Sequence, residues 1–547
     1  MATVYVNDIE VEIGDEERLN LIQAAQRAGV FVPHYCWHPA LTVVASCRMC
    51  LVEVGQKTED GVSMMPKVVP GCQTPAKDGT VIVTDSETAK KAQAGTLEGL
   101  LLNHPLDCPV CDKAGECTLQ DYSYRYGNSH TRMIDEKRTP PNKPHIGDNV
   151  TLFTDRCIMC SRCVRFTREI SGEAELQVVS RGHHAEIDIF PGEPLDNKLS
   201  TNVVDLCPVG ALCSKDFLYK HRVWNLKTVD SVCVDCSTGC SIHLDTNKTV
   251  IYRLRPRENQ QAQGWFMCDE GRLGYHYCND DDRLSRPSIE NSPRSWQETL
   301  DALRKDLEEA IGKDAGSVVA ILSPFMTCEE AFLLSKYLKS LSGQIRLALG
   351  PVPVIGEDDN YPKDRKGNSI EPVKFTIRAE KCPNRRGVEE VLQHFQGEII
   401  SFDEVVRSAN DGQIHFAYLV AGYPPRGEGW INQEQADALK KATCLVVQDI
   451  LPSTLSASAK YVLPGATFAE KDGSVVNHKG LAQSLKRGAN PVGEVRQDGQ
   501  VFQDLMQRPG LFHLATIRQE LASEINYFSR LPAMTEQGVF LEQSGDA

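Results

Sequence analysis

The sequence predicts a multidomain chain, α+β through its first half and α/β through its second. Three observations carry this reading. Fifteen of the 20 cysteines fall into four short sets before residue 270, and the stretch ahead of the first set alternates apolar and polar residues as paired strands do. Beyond about residue 280 the sets stop, and short apolar runs alternate with helical segments, the pattern of a mostly parallel sheet. A chain of 547 residues has room for several separate cores. Its 59 basic and 74 acidic residues leave a formal charge of -15, which excludes nucleic acid as the main partner because phosphate recognition needs a basic face. No apolar run approaches the roughly 20 residues that span a bilayer, and MATVYVNDIEVEI reads as a strand and not as a secretory or transit segment. The expectation is a cytosolic protein that reaches a membrane through partner subunits. In a reducing compartment, clustered cysteines read as metal ligands and not as a disulfide framework.

Taken in order, residues 3 to 13 place Val4, Val6, Val11 and Ile13 on one face around a turn at Asn7-Asp8, a hairpin signal. Leu19, Ile22, Ala25 and Ala28 then recur at helical spacing up to Gly29. Hairpin, helix and cysteine loop together predict a small ferredoxin-like β-grasp domain over 1–87. The loop supplies Cys36, Cys47 and Cys50, and Cys72 closes the set as C-x10-C-x2-C-x21-C. Plant-type ferredoxins hold a [2Fe-2S] cluster in a related loop with a shorter first gap. SCRMCLVEV runs from ligands straight into a strand that pins them.

The segment 88–140 starts with a helical pattern, AKKAQAGTLEGLL, and delivers the chain to His104, Cys108, Cys111 and Cys117, spaced H-x3-C-x2-C-x5-C. Taken alone, these four residues suit zinc as a Cys3His site. Zinc carries no electrons, and four sets in series point instead to iron–sulfur clusters. An imidazole in place of a thiolate makes a [4Fe-4S] cluster less negative and raises its potential. The aromatic run LQDYSYRYG follows and reads either as a shield against water or as plain packing. Pro140, Pro141 and Pro144 mark a boundary. In 141–225, Cys157, Cys160 and Cys163 form CIMCSRC, and Cys207-Pro208 completes the bacterial ferredoxin arrangement for a [4Fe-4S] cluster. Arg156, Arg162, Arg165 and Arg168 surround this triplet, either to favour the reduced cluster or as salt-bridged surface groups.

Segment 226–280 holds Cys233, Cys236, Cys240 and Cys268 as C-x2-C-x3-C-x27-C, a fourth [4Fe-4S] candidate with a zinc ribbon as its alternative. IHLDTNKTVIYRLRPR, between the third and fourth of these, alternates like a hairpin. Cys213, Cys278, Cys328, Cys382 and Cys444 have no partners at ligand spacing and read as structural. From 281 to 547 the expected strands are 317–322, 414–420, 444–448 and 461–463. Expected helices cover 328–341, opened by a Thr327/Glu330 capping box, and 433–441. Residues 350–387 read as loop. No Gly-rich dinucleotide fingerprint follows a strand.

CRMCLVEV, NHPLDCPVCDKAGECTLQD, CIMCSRCVRF, VVDLCPVGAL and CDEGR together resemble the family of large iron–sulfur subunits of respiratory complex I, the bacterial NADH-quinone oxidoreductase. The resemblance covers residues 1 to about 275. Later, VLPGATFAEKDGSVVNHKG resembles part of the molybdopterin oxidoreductase-like domain that ends the family. It implies one [2Fe-2S] cluster on Cys36, Cys47, Cys50 and Cys72, and three [4Fe-4S] clusters. These lie on His104, Cys108, Cys111 and Cys117; on Cys157, Cys160, Cys163 and Cys207; and on Cys233, Cys236, Cys240 and Cys268, the last off the main electron path. It further implies electrons arriving from an FMN subunit that oxidises NADH and leaving through a downstream [4Fe-4S] subunit toward quinone. The place implied is the cytoplasmic side of the bacterial inner membrane, peripheral and within a complex. The chain departs from the family in a shorter C-terminal domain and in lacking a residue to ligate molybdenum, so that domain reads as a silent scaffold with no molybdenum cofactor. The alternatives are an NAD-linked molybdenum formate dehydrogenase subunit, a hydrogenase-associated subunit, and a structural zinc protein.

Overall fold

The computed structural model describes residues 1–427 and 429–542. They divide into two compact units: Met1–Asn225 with Tyr361–Pro372, and Leu226–Asn360 with the chain from Val373 on. In the first unit, strands Ala2–Val6 and Ile9–Ile13 pair antiparallel with Val4 opposite Val11. Asn7 and Asp8 take left-handed φ values of 45° and 69°, as a two-residue hairpin turn requires. The sheet runs in the order Ile9–Ile13, Ala2–Val6, Thr80–Val83, Leu51–Thr58, Gly61–Met64, with Ala2–Val6 parallel to Thr80–Val83. The expected helix spans Leu21–Arg27 and starts two residues later than the apolar spacing alone predicts. Asn20 sets that start: its side chain accepts from the Gln23 amide at 3.0 Å while Gln23 accepts from the Asn20 amide at 3.1 Å. The apolar face of the hairpin packs on Leu21 and Ile22, and Cys50 and Cys72 belong to that same core. The first cysteine loop is thus anchored in the sheet.

Helix Glu87–Leu101 is capped by Ser86, and LQDYSYRYG falls in a second helix, Thr118–Tyr126. Farther along, Val150–Leu152 pairs with Leu212–Ser214, and Leu176–Val179 pairs with Glu186–Ile189. The segment 361–372, within the stretch read as loop, belongs to this first unit: the Lys363 amide donates to the Ile170 carbonyl at 3.0 Å. Gly172, at φ 85°, lets the backbones meet, since a Cβ there would lie 2.6 Å from the Asp364 oxygen.

The second unit begins with an antiparallel sheet of Lys227–Val232, Ser241–Asn247 and Val250–Pro256. The larger sheet orders five parallel strands as Arg346–Leu349, Val318–Leu322, Phe416–Val420, Cys444–Asp449, Tyr461–Pro464, with Ser288–Ile289 and Ser292–Pro293 antiparallel at one edge. Both faces are covered. Val318, Ala320 and Leu322 enter one core, and Val319 and Ile321 enter the other. This is why these strands read as unbroken apolar runs. Helix Cys328–Leu341 has the Thr327/Glu330 capping box. The helix expected over 433–441 ends at Leu439. Helices Trp296–Asp314, Phe402–Asn410 and Asp498–Leu505 go beyond the sequence expectation, and Arg385–Gln396 begins inside the stretch read as loop, as does strand Phe375–Ile377.

Arg283 and Glu470, 2% and 1% exposed, form a paired two-bond bridge at 2.8 and 2.6 Å within the second unit. Glu470→Ala leaves a buried guanidinium without its counter-charge. It is expected to cost about 3–5 kcal/mol of stability, read as a lower denaturation midpoint of the second unit. Among the described residues no helix is long and apolar enough to cross a membrane.

Candidate metal centres

All 20 cysteines are free thiols. In the first set, Cys36, Cys50 and Cys72 are each 1% exposed, and Cys47 is half-buried. The Cys36 thiol contacts those of Cys47 and Cys72, and Cys50 contacts Cys72. Donation from Cys47 and Cys72 holds Cys36 below the ordinary thiol value, and the two donors are pushed up. The amides of Ser46 and Cys47 also point at the Cys36 sulfur. Ala45 and Arg48, at φ 50° and 59°, turn the loop so that these amides face inward. The helix cap joins in: Asn20 Nδ2 donates to the Cys72 carbonyl at 3.1 Å.

In the second set Cys111 and Cys117 are buried and Cys108 is exposed. Burial pushes the thiols of Cys111 and Cys117 up, against amides of Lys113 and of Leu119 and Gln120 that favour the thiolate. His104 is lowered to about 4, first by burial and then by Lys137 and Arg156, so its ring is neutral at pH 7. Its Nδ1 is buried with no hydrogen-bond partner while the ring bonds the Arg156 backbone, the state of a neutral imidazole held ready to ligate. Arg156 ties the set together, because its charge acts on both His104 and Cys111. Gly210 backs the set, and any Cβ there would overlap Cys111 Sγ. Gly210→Ala is therefore expected to displace Cys111 and to lose the four-iron content of this set while the other sets keep theirs, measured as iron per chain and by paramagnetic resonance.

In the third set Cys160, Cys163 and Cys207 are buried and Cys157 is half-buried. Met159 and Ser161, at φ 54° and 58°, coil the CIMCSRC loop, and the Met159 amide points at Cys157 Sγ from 3.4 Å. Burial first, and then the neighbouring Cys207 sulfur, push Cys157 up to about 12 and Cys160 up to about 11. In the fourth set all four thiols are buried and pushed up by burial. Cys268 caps a short helix and accepts from the Gly271 amide at 3.3 Å; a Cβ on Gly271 would lie 2.9 Å from Cys233 Sγ. Asp235, raised to about 6 by burial, pairs with Arg426, which also bridges Glu270, itself paired with Lys381 at 2.6 Å.

Within the first unit the three sets are joined by named contacts. Arg165, 4% exposed, donates to the carbonyls of Cys36 and Thr42 and, at 3.4 Å, to that of Cys160. Arg162 donates to the Trp37 carbonyl at 2.5 Å and to the Leu206 carbonyl at 3.3 Å. Arg156 bridges Asp107 at 2.8 Å, and the Thr118 hydroxyl donates to the Pro208 carbonyl at 2.9 Å. Three of the four arginines singled out from sequence thus face inward, and Arg168 is exposed. Asp107 and Tyr35, which lie at these joints, carry no signal in the sequence. Cys213 is buried, which pushes its thiol up to about 12, and it has the sulfurs of Cys111 and Cys207 as neighbours.

Among the described residues no three His, Cys, Asp or Glu side chains gather about a single ion. The first set is grouped by contact between thiols, the second and fourth have glycines that leave room beside sulfur, and amides aim at sulfur in all four. A coordinated thiol is deprotonated outright, so buried thiols lined by amides, with one orphaned imidazole nitrogen, fit bound iron–sulfur clusters.

Family profiles agree. Residues 1–87 match a 2Fe-2S iron-sulfur cluster binding domain, 93–132 the NADH-ubiquinone oxidoreductase-G iron-sulfur binding region, and 147–213 the NADH-quinone oxidoreductase subunit 3 ferredoxin-like domain. Residues 226–280 match the molybdopterin oxidoreductase Fe4S4 domain and 391–508 molybdopterin oxidoreductase. Fold and domains together define an iron–sulfur electron-transfer protein. The NADH-quinone oxidoreductase G subunit of Rickettsia prowazekii is 36% identical over 98% of this chain and 92% of its own. That of Rickettsia felis is 29% identical over the same shares, and the NADH-ubiquinone oxidoreductase 75 kDa subunit of Reclinomonas americana is 33% identical over 68% of this chain and 52% of its own. The chain belongs to the G-subunit family of NADH-quinone oxidoreductases, the iron–sulfur electron-transfer subunits of complex I.

Proposed function

We propose that this chain carries one [2Fe-2S] and three [4Fe-4S] clusters and relays electrons, within complex I, from a flavin subunit that oxidises NADH toward the quinone-reducing subunits. The ligands are Cys36, Cys47, Cys50 and Cys72 for the two-iron centre. The four-iron centres take His104, Cys108, Cys111 and Cys117; Cys157, Cys160, Cys163 and Cys207; and Cys233, Cys236, Cys240 and Cys268. The observation that carries this reading is Arg165, whose guanidinium spans the backbone of Cys36 and Cys160 and so ties the first and third sets into one rigid joint. The bound clusters supply one-electron chemistry. The chain's own residues hold and orient them. Arg156 and Thr118 fix the second set against the third. Burial excludes water from most of the ligating thiols, and amides and arginines favour the negative charge on sulfur.

Cys108 is exposed, and its neighbours Leu106 and Val110 are 87% and 56% exposed. This apolar rim suits the downstream [4Fe-4S] subunit. The assembly lies on the cytoplasmic side of the bacterial inner membrane, held there by partner subunits. The C-terminal α/β region is a scaffold without molybdenum. Paramagnetic resonance of the NADH-reduced complex tests the assignment. Cys72→Ala is expected to remove the two-iron signal and Cys117→Ala one four-iron signal. Retention of the matching signal in either variant would contradict that ligand set.

A further inference from the structure

Tyr35 precedes the first ligand cysteine and is wholly buried, at 0% exposed, yet its hydroxyl has no hydrogen-bond partner. A buried phenol normally finds one. Its ring packs on Tyr122 at 5.1 Å, and Tyr122 lies on the helix whose N-cap is Cys117. Tyr35 therefore stands at the seam between the first and second cysteine sets. Its backbone adjoins Cys36 of the first set, but its ring is packed against the helix that Cys117 opens, so the side chain sits on the second set. Although the two rings pack together, no hydrogen bond joins the Tyr35 hydroxyl to Tyr122.

An orphaned donor beside thiols that ligate a cluster points to the cluster as its acceptor. We propose that the Tyr35 hydroxyl donates a hydrogen bond to the sulfur of the centre held by His104, Cys108, Cys111 and Cys117, and so raises that centre's potential. This rests on the ligand assignment proposed above. Reduction adds one electron and no proton, and the hydroxyl keeps its hydrogen. A donor to sulfur stabilises the more negative, reduced state, which moves the midpoint upward. Tyr35 is a positioning residue for the relay, acting through the field at one centre.

The test is a redox titration of the assembled complex followed by paramagnetic resonance, in the parent protein and in Tyr35→Phe and Tyr122→Phe variants. The ring is kept in each, so the packing persists. The four-iron signal must first be present in the parent and lost in Cys117→Ala; its persistence there sinks the ligand assignment and not the role of Tyr35. Given that signal, Tyr35→Phe is expected to lower its midpoint and leave the two-iron midpoint unchanged. It should also abolish a deuterium coupling seen after exchange into heavy water, while Tyr122→Phe changes neither. An unshifted four-iron midpoint, a shift confined to the two-iron centre, or an equal shift in Tyr122→Phe would overturn the proposal.

Discussion

Cys163→Ala is expected to lower the iron content by about four atoms per chain and to bring NADH-driven quinone reduction to background in the assembled complex. Cys163 sits in the first turn of helix Arg162–Phe166, with its thiol pushed well above the ordinary value by burial and then by the neighbouring sulfurs of Cys160, Cys157 and Cys207. A group so placed gains nothing as a free thiolate, and bound iron accounts for a fourth sulfur in a site already crowded with three. The third set is also the one joined to both others, through Arg165 on one side and through Arg156 and Thr118 on the other. Its loss should therefore break the path between them while reaction of NADH with an acceptor reduced directly at the flavin survives. Alanine is small and apolar, so the fold should persist. Cys213→Ala is the matched control: it is equally buried, with the sulfurs of Cys111 and Cys207 as neighbours, and is expected to leave the iron content unchanged. Undiminished iron in Cys163→Ala, or equal loss in Cys213→Ala, would refute the assignment of the third set.

Arg165→Met is expected to be the most damaging change that touches no ligand. Methionine keeps much of the length and apolar stem of arginine but cannot donate to the carbonyls of Cys36, Thr42 and Cys160. Hydrogen bonds to a charged group contribute roughly 1.5–3 kcal/mol each, and the carbonyls of Cys36 and Cys160 left behind are buried. A loss of at least about 3 kcal/mol in the first unit follows, seen as a lower midpoint of thermal unfolding. The midpoint potentials of the first and third centres should also fall, because a positive charge that stabilises the reduced state has gone. Arg165→Lys should recover part of the potential but less of the stability, since one ammonium cannot reach the same three carbonyls as a planar guanidinium. Arg168→Met, at an exposed position, should change neither.

The ligand sets are readable because their spacing is local. C-x2-C-x2-C and H-x3-C-x2-C-x5-C place donors within one loop, and the alternation of Val4, Val6, Val11 and Ile13 marks the sheet that pins the first set. The parallel strands of the second unit are equally plain, being apolar on both faces. The joints between sets leave no such trace. Arg165 reaches back more than a hundred residues to the carbonyl of Cys36, and an acceptor that is backbone has no sequence identity to read. Tyr35 and Asp107 gain their meaning from partners distant in the chain. Helix Phe402–Asn410 goes beyond the sequence expectation although its signals are local: Ser401 and Glu404 form a capping box, and Phe402, Val405 and Ala409 recur on one buried face. Segment 361–372 is mostly polar with apolar side chains only at its ends and Ile370, and backbone contacts such as Lys363 to Ile170 join it to the first unit.

The most direct test is elemental analysis of the anaerobically purified chain. One two-iron and three four-iron centres predict about 14 iron per chain, without stoichiometric zinc or molybdenum. Zinc in place of iron would contradict the relay, and stoichiometric molybdenum would make the C-terminal region an active site and not a scaffold.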